Sequence, residues 1–290
     1  MKKKLFVFSD VHGCFDALRQ SLKEAGYKSN DPDHILVSLG DNFDRGVQSA
    51  NIYKWLKERQ AICIRGNHEG FLLEALESGI DGEYVLFNFL RNGLDQTIQS
   101  FSHTNFNPTV KPAEIDNAIK YINRNYPDLK KWIEDMPIVY QTKNYIFVHA
   151  GIHPFKRVEQ SVLDTDFCLW DIEYSHYPVD MTQKTVVIGH HHAFRVRARG
   201  EAEGYHESDL RLPWTGNIDE HRPVRFGNKI AIDPCSNYTN KVNVLVIEDE
   251  LLEEAPKVET PTVNFDEFVV DPTMTWATYN ADTTTTIRFR

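Results

Sequence analysis

The chain has 290 residues, of which 26% are charged and 41% hydrophobic. That length buries a sizeable core, and the balance is ordinary for a soluble globular protein. A net charge of −10 leaves no broad basic field, which weighs against a non-specific nucleic-acid or anionic-membrane binder.

The opening MKKKLFVFSD reaches an aspartate within ten residues, too soon for a secretory h-region or a membrane span. KLFVFSD (4–10) is a β-branched and aromatic run that predicts a strand, and CFDALRQSLKEAGY (14–27) follows with helical period. DHILVSLGD (33–41) predicts a second strand, SANIYKWLKERQ (49–60) an amphipathic helix, and AICIRGNHE (61–69) a third strand ending in a turn. Strand and helix alternate over short connections, which predicts an α/β arrangement with parallel strands. Each strand is apolar almost throughout, as when both faces are covered.

From GFLLEALES (70–78) to PDLKKWIEDMP (127–137) the period turns helical, which predicts an inserted helical subdomain. IVYQTKNYIFVHAGIHP (138–154) reads as a hairpin around Thr142–Asn144, and KTVVIGHHH (184–192) as a further strand. Residues 193–228 form a long connection rich in Arg, Gly and Glu, of the kind that borders active sites. KIAIDPC (229–235) and KVNVLVIED (241–249) predict a closing antiparallel pair, and the Thr-rich text beyond about 251 an extension. Cys14, Cys63, Cys168 and Cys235 are scattered with no CxxC pair, which with the short start predicts a cytoplasmic protein with reduced thiols.

Five predicted strands each end in metal-type ligands: SDVHG (9–13), GDNFDRG (40–46), RGNHEG (65–70), HAG (149–151) and GHHH (189–192). The carboxyl ends of strands in α/β sheets face one crevice, so these clusters should converge. Taken singly, Asp10 or Asp41 is as well read as a helix N-cap, His149 as a packed core histidine, and Arg45 as a surface ion-pair partner. Oxygen and imidazole donors without cysteine suit Mn²⁺, with Fe²⁺ or Zn²⁺ as alternatives.

In this order the motifs D-x-H-G, G-D-x-x-D-R-G, G-N-H-E, H-A-G and G-H resemble those of the calcineurin-like metallophosphoesterases. More narrowly they are similar to the bacterial and bacteriophage serine/threonine phosphoprotein phosphatases. FLRNGLDQTIQSF (89–101), WIEDMPIVYQTKNYIFVHAGIHP (132–154) and the pair Leu169–Trp170 extend the resemblance over roughly residues 4–249. It implies an α/β fold of the calcineurin-like metallophosphoesterase type, a mixed β-sandwich flanked by helices. The corresponding domain spans 1–250, with a helical insertion at about 71–136 and a C-terminal extension over 251–290.

Carried over by position, the resemblance implies two divalent ions. Asp10 and His12 would bind the first, Asp41 would bridge both, and Asn67, His149 and His190 would complete the second. Two ions a few ångströms apart need such a shared carboxylate, and they clamp phosphate oxygens while activating the bridging hydroxide that attacks phosphorus. His68 would protonate the leaving oxygen, Asp44 would orient its imidazole, and Arg45 would present a fork of donors to the phosphate. Asn67 would add an uncharged oxygen beside the substrate, Gly13, Gly46 and Gly66 would allow sharp turns, and Glu69 would be supporting. Cys14 is expected to be a packing residue beside the site.

The family's second phosphate-binding arginine, shortly after Leu169–Trp170, is missing from LWDIEYSHYP (169–178). Arg195, Arg197 and Arg199 could replace its charge, or could form a solvated basic strand. His191, where the family often has Thr, His192, which has no assigned role in the family, and Tyr238 are further candidates for substrate contact. The family's D-T-G is changed to D-P-C (233–235). The implied function is a phosphomonoesterase acting on phosphoserine or phosphothreonine in proteins or on small phosphoesters. Alternatives are a diadenosine tetraphosphate hydrolase, whose members tend to lack an aspartate at the Asp44 position, or a nucleic-acid-end phosphatase, which the charge disfavours. A metal-binding regulatory protein without turnover is the reading from another class. No membrane partner is expected.

Overall fold

The computed structural model describes residues 2–80, 83–106, 110–176, 182–201 and 217–252. Its first half runs β1 (Lys2–Phe8), α1 (Phe15–Glu24), β2 (His34–Ser38), α2 (Ser49–Glu58) and β3 (Ile62–Cys63). Helices α3 (Asn67–Ser78), α4 (Glu83–Arg91), α5 (Leu94–Ser102), α6 (Pro112–Asn125) and α7 (Leu129–Glu134) follow. The second half holds β4 (Val139–Gln141), β5 (Tyr145–Val148), α8 (Val158–Ser161), α9 (Thr165–Trp170), β6 (Thr185–His192) and α10 (Ala193–Glu201). It closes with β7 (Val224–Phe226), β8 (Lys229–Asp233), α11 (Ser236–Thr239) and β9 (Leu245–Glu250).

The strands form two sheets, β3-β2-β1-β9 and β4-β5-β6-β8-β7. In the first, β1, β2 and β3 are parallel and β9 lies antiparallel to β1. In the second, β5, β6 and β8 are parallel, with β4 and β7 antiparallel at the edges. Strand alternation explains how they stack. Leu5 and Val7 of β1 and Val37 of β2 pack against Phe147, Val187, Ile230 and Ile232 of the second sheet. Phe6, Phe8 and Leu36 point the other way, into a core shared with α1, α2 and α3 to α7. Ile146, Val148, Val186 and Ile188 cover the outer face of the second sheet, packing with Cys168 and Leu169 of α9 and Val196 of α10. Both faces of both sheets are therefore buried, which is why the strand segments are almost continuously apolar.

Three sequence expectations change. The third strand is only Ile62–Cys63, because Asn67, His68 and Glu69 already belong to α3. The anticipated pair of 229–235 with 241–249 does not form: β8 joins β6 and β7, while β9 crosses to the other sheet and pairs with β1. The segment 193–228 is not wholly a loop, since it opens with α10 and ends with β7. The expectation for 251–290 falls outside the described residues from 253 onward. Among the described residues no helix is long and apolar enough to cross a membrane.

The sheets are also latched at one end. Asp249 of β9 accepts hydrogen bonds from Thr142 Oγ1 (2.6 Å), Asn144 N (2.8 Å) and Asn144 Nδ2 (2.6 Å) in the β4–β5 turn.

Candidate active site

The turns after β1 and β2 are laced together by their backbones. Asp10 N donates to Gly40 O, His12 N to Asp41 O, and Gly13 N to Asn42 O. Gly13 has a φ of +68°, and a Cβ there would collide with the Gly46 backbone, so the two glycines let these turns touch. Asp10, His12, Asp41, Asp44, Arg45 and His190 all hold positive φ, between 44° and 67°. Six non-glycine residues in a costly backbone region at one location mark a place where function overrides local preference.

Asp41 lies at the centre. Its Oδ2 is 3.7 Å from His12 Nε2 and 3.9 Å from His68 Nε2, and its Oδ1 is 3.4 Å from His149 Nε2. Donor atoms of His12, Asp41 and His68 lie within 4.8 Å of one another, as do those of Asp41, His149 and His190, so one carboxylate is common to two ligand groups. His12 donates from Nδ1 to Phe43 O (2.8 Å), and His149 from Nδ1 to Leu39 O (2.8 Å). A carbonyl can only accept, so each Nδ1 carries a proton and each Nε2 is directed into the site, where His12 Nε2 meets Arg45 Nη1 at 2.8 Å. Asn67 Oδ1 is 2.9 Å from His149 Nε2. Asp10 accepts from Ser9 Oγ and from His190 N, which joins β1 to β6. A Cβ at Gly189 would collide with Ser9 Oγ and Asp10 Oδ2, so the close approach of these strand ends requires glycine.

Glu69 supports this arrangement from below. Fully buried, it accepts from the backbone N–H groups of Asp41 (2.8 Å), Asn42 (2.8 Å) and Gly66 (2.9 Å). It thereby ties the β2 turn to the first turn of α3.

Beside Asp41 stands a relay of three side chains. His68 Nδ1 donates to Asp44 Oδ2 at 2.7 Å, and Asp44 Oδ1 accepts from Thr97 Oγ1 at 2.6 Å. Thr97, on α5, in turn accepts from Asp44 N at 2.7 Å. Arg45 spreads its guanidinium over the rim, with Nη1 2.8 Å from His12 Nε2 and Nη2 3.1 Å from His68 Nε2.

Burial, reinforced by Asp233, pushes the Asp10 carboxyl well above its ordinary value. Burial would also raise Asp41, but His149, His68 and His12 outweigh it and hold that carboxyl well below its usual range. Burial lowers His149, yet Asp41 and Asp10 overcome it and carry the imidazole up to about 10. Burial and then His149 push His190 down to about 3.

One pocket takes in Asp10, His12, Asp41, Arg45, Asn67, His68 and His190 from the predicted set, together with His192 and Asp233. His149 and Asp44 sit directly behind that wall, in contact with Asp41 and His68. His191, Arg195 and Tyr238 are not in it. His191 is buried behind β6, because alternate residues of a strand face opposite ways and His190 and His192 take the pocket side. Arg195 is exposed on α10 with its guanidinium over Phe194, and Tyr238 is 69% exposed on α11. Arg197 is turned to the carbonyls of Glu220, Arg222 and Pro223, and the Arg199 side chain lies outside the described residues. Cys14 is half-buried, with its Sγ donating to His12 O.

Sequence reasoning left His192 as no more than a candidate substrate contact, and Asp233 and Thr97 without roles. The two-residue step from His190 was a usable signal for His192, and the end of an apolar run for Asp233. Nothing local distinguished Thr97.

Calcineurin-like phosphoesterase is the family whose profile matches, over residues 3–221. The chain belongs to that family. Serine/threonine-protein phosphatase 1 of Salmonella typhimurium is 39% identical over 77 residues, covering 26% of this chain and 34% of the relative. The symmetrical bis(5'-nucleosyl)-tetraphosphatase of Actinobacillus pleuropneumoniae is 28% identical over 191 residues, covering 62% and 58%. The chain thus matches between about a third and somewhat over half the length of these curated relatives. A protein serine/threonine phosphatase structure from Saccharomyces cerevisiae aligns over 88% of this chain and 82% of its own, with 13% identity and a TM-score of 0.45.

The donor set fits the divalent metals of calcineurin-like phosphoesterases. It offers only oxygen and imidazole nitrogen around Asp41, with tautomers fixed by backbone carbonyls. It also buries the Asp10 carboxyl with no Lys or Arg among the described residues bonded to it, so a bound cation would favour its ionised form.

Proposed function

We propose that the protein is a metal-dependent phosphomonoesterase whose substrates are phosphoserine or phosphothreonine side chains of proteins. The observation that carries this reading is Asp41, whose carboxylate lies between His12 on one side and His149 and His190 on the other, with the His68–Asp44 pair beside it. Asp10 and His12 would hold one divalent ion and Asn67, His149 and His190 the other, with Asp41 between them. Such a pair, when bound, supplies Lewis acidity and an activated water.

The chain's own residues would do the rest. Arg45 would present two donors to phosphate oxygens, in the planar fork that suits them. His68 would hand a proton from Nε2 to the leaving alkoxide, and Asp44 would keep the ring oriented and stabilise its cationic form. Thr97 would keep Asp44 from rotating, so that Oδ2 stays on the imidazole. Manganese is the metal we assign, and a cytoplasmic setting is consistent with the four free thiols.

A second reading rests on the longer similarity to the symmetrical tetraphosphatase and takes a dinucleoside polyphosphate as substrate. The Asp44–His68 pair favours the first. The purified protein with Mn²⁺ should be tested on an aryl phosphate, phosphopeptides, diadenosine tetraphosphate and end-phosphorylated oligonucleotides. Phosphopeptide turnover above the rest is expected. Preference for the dinucleotide would replace the first reading, and turnover of none would make this a metal-binding protein.

A further inference from the structure

The end of the molecule opposite the catalytic pocket carries a groove of another character. Helices α1 and α2 run from the catalytic turns back toward the strand starts, and their last turns form its walls. There Arg19, Lys23 and Arg59 surround Leu22, Tyr27 and Trp55 about a space of about 170 Å³, and among the described residues no carboxylate lines it. Three cations thus share one groove in a chain whose net charge is −10.

The floor is aromatic and continuous with the core. Ring centroids of Trp55 and Phe15 are 5.9 Å apart, those of Trp55 and Tyr27 6.3 Å, and those of Tyr27 and Phe6 5.2 Å. Arg59 lies over Trp55, 4.4 Å from the ring centroid, and its buried Nε has no hydrogen-bond partner among the described residues. Its Nη1 makes long contacts, 3.4 Å to Trp55 O and 3.5 Å to Glu58 Oε2.

The chain itself holds a segment of matching chemistry. β9 runs antiparallel to β1 with Glu250 opposite Lys2, so the chain leaves the first sheet where β1 begins. The turn after α1, which carries Tyr27, leads into β2 at that same end, with His34 opposite Lys4. Val246 of β9 stands opposite Phe6, on its face of the sheet, and is 41% exposed, which extends apolar surface from Tyr27 toward β9. Residues 253–271, EEAPKVETPTVNFDEFVVD, hold six carboxylates against one lysine, with Phe265 and Phe268 flanking Asp266 and Glu267. From Leu252 to Asn264 an extended chain reaches about 40 Å, whereas three strand spacings cross only about 14 Å.

We propose that the groove of α1 and α2 binds the chain's own segment 263–270, VNFDEFVV, with phenylalanine on the aromatic floor and carboxylates on Arg19, Lys23 and Arg59. An arginine held over an indole keeps N–H donors unanswered in a fixed plane, which suits a carboxylate. Burying phenylalanine supplies most of the affinity, and the tether makes docking intramolecular, so modest contacts suffice. The groove lies away from Arg45 and His68, so the docked segment leaves the catalytic pocket open and covers the margin of β1 and β9 instead.

Carbodiimide cross-linking of the full chain, as an equal mixture of ¹⁵N-labelled and unlabelled protein, tests this. The reagent condenses an amine with a carboxylate only where the two already touch. Lys23 should be joined to Asp266 or Glu267, in peptide pairs that carry one label throughout. The yield should fall about threefold or more in Arg59→Glu, and equally in Phe265→Ser combined with Phe268→Ser, which leaves the described residues untouched. It should also fall in 1 M salt, where the Debye length shrinks to about 3 Å. Circular dichroism confirms that Arg59→Glu is folded. Three results overturn the proposal: no linkage of Lys23 to these carboxylates, linkage only in mixed-label pairs, which gives the groove to a second copy, or a yield unchanged in the phenylalanine variant. Turnover is not read, so the substrate assignment can fail while this docking stands.

Discussion

The two sheets contribute unequal walls to the same pocket. The first brings Asp10, His12, Asp41, Asp44, Arg45, Asn67 and His68 from turns bonded directly to one another, braced by Glu69 and Thr97. The second brings His149 and His190, then His192 and Asp233 beside a cysteine. On the first wall nearly every polar atom already has a protein partner, so changing one residue disturbs several. On the second, His192 and Asp233 touch without bonding. Rigid polar networks preorganise chemistry, whereas less committed groups leave room for specificity and for additional ligands.

The comparison breaks first, and most severely, at Asp41. Asp41→Asn should remove metal from both ligand groups and reduce turnover by on the order of 10³-fold or more, read from metal content together with aryl phosphate hydrolysis. Retention of both metals and activity would mean that the two groups do not share it. His68→Asn should slow an alkyl phosphoester by about 10²–10⁴-fold and an aryl phosphate far less, since a good leaving group needs little protonation. Equal losses on both substrates would remove His68 from the acid role.

Glu69→Gln sharpens the difference between bracing and chemistry. An amide N–H₂ set against backbone N–H groups leaves a buried donor unsatisfied, at a cost of about 1–3 kcal/mol in denaturant unfolding. Its effect should be larger on stability than on the leaving-group dependence of turnover.

The last test, far from the chemistry and expected to touch stability alone, asks whether the two walls are held in register from a distance. Asp249→Ala should cost about 1–3 kcal/mol by leaving the Thr142 and Asn144 donors unanswered. Burial would raise the Asp249 pKa, but these hydrogen bonds outweigh it and hold the carboxyl below its ordinary 3.8. The stabilisation is therefore present in full above that ordinary value and lost as pH falls through the lower folded one. Urea midpoints of wild type and Asp249→Ala should draw together progressively as pH falls below 3.8; a gap that does not narrow at all as the protein is acidified would assign the effect to packing.

What the sequence revealed follows the same division. The first wall was legible because its chemistry sits in short motifs at strand ends, where neighbours in sequence are neighbours in the site. The β1 and β2 runs, α1 and α2 were readable from local period alone. The partner of β9 was not, because LVIEDE alternates equally well against any strand, and the choice of β1 over β8 depends on residues more than 200 positions away. Asp233 stayed silent for a related reason: a single aspartate after an apolar run acquires meaning only when β6 lies beside it. In α10, RVRAR reads as an alternating basic strand, yet Ala193 and Val196 bury one helical face and Arg197 reaches three carbonyls. Tertiary contacts decided that segment.

The pairing of β1 with β9, from Lys2 opposite Glu250 to Val7 opposite Leu245, also governs how the molecule can be made. β1 is synthesised more than 230 residues before β9, and receives its second neighbour only among the last described residues. Until then its open side offers unpaired backbone groups along an apolar strand, which is a template for joining another chain. A chain stopped near residue 240 would carry every proposed metal ligand and still lack the strand that covers this edge, so synthesis has a long vulnerable interval and closure is a late, slow event.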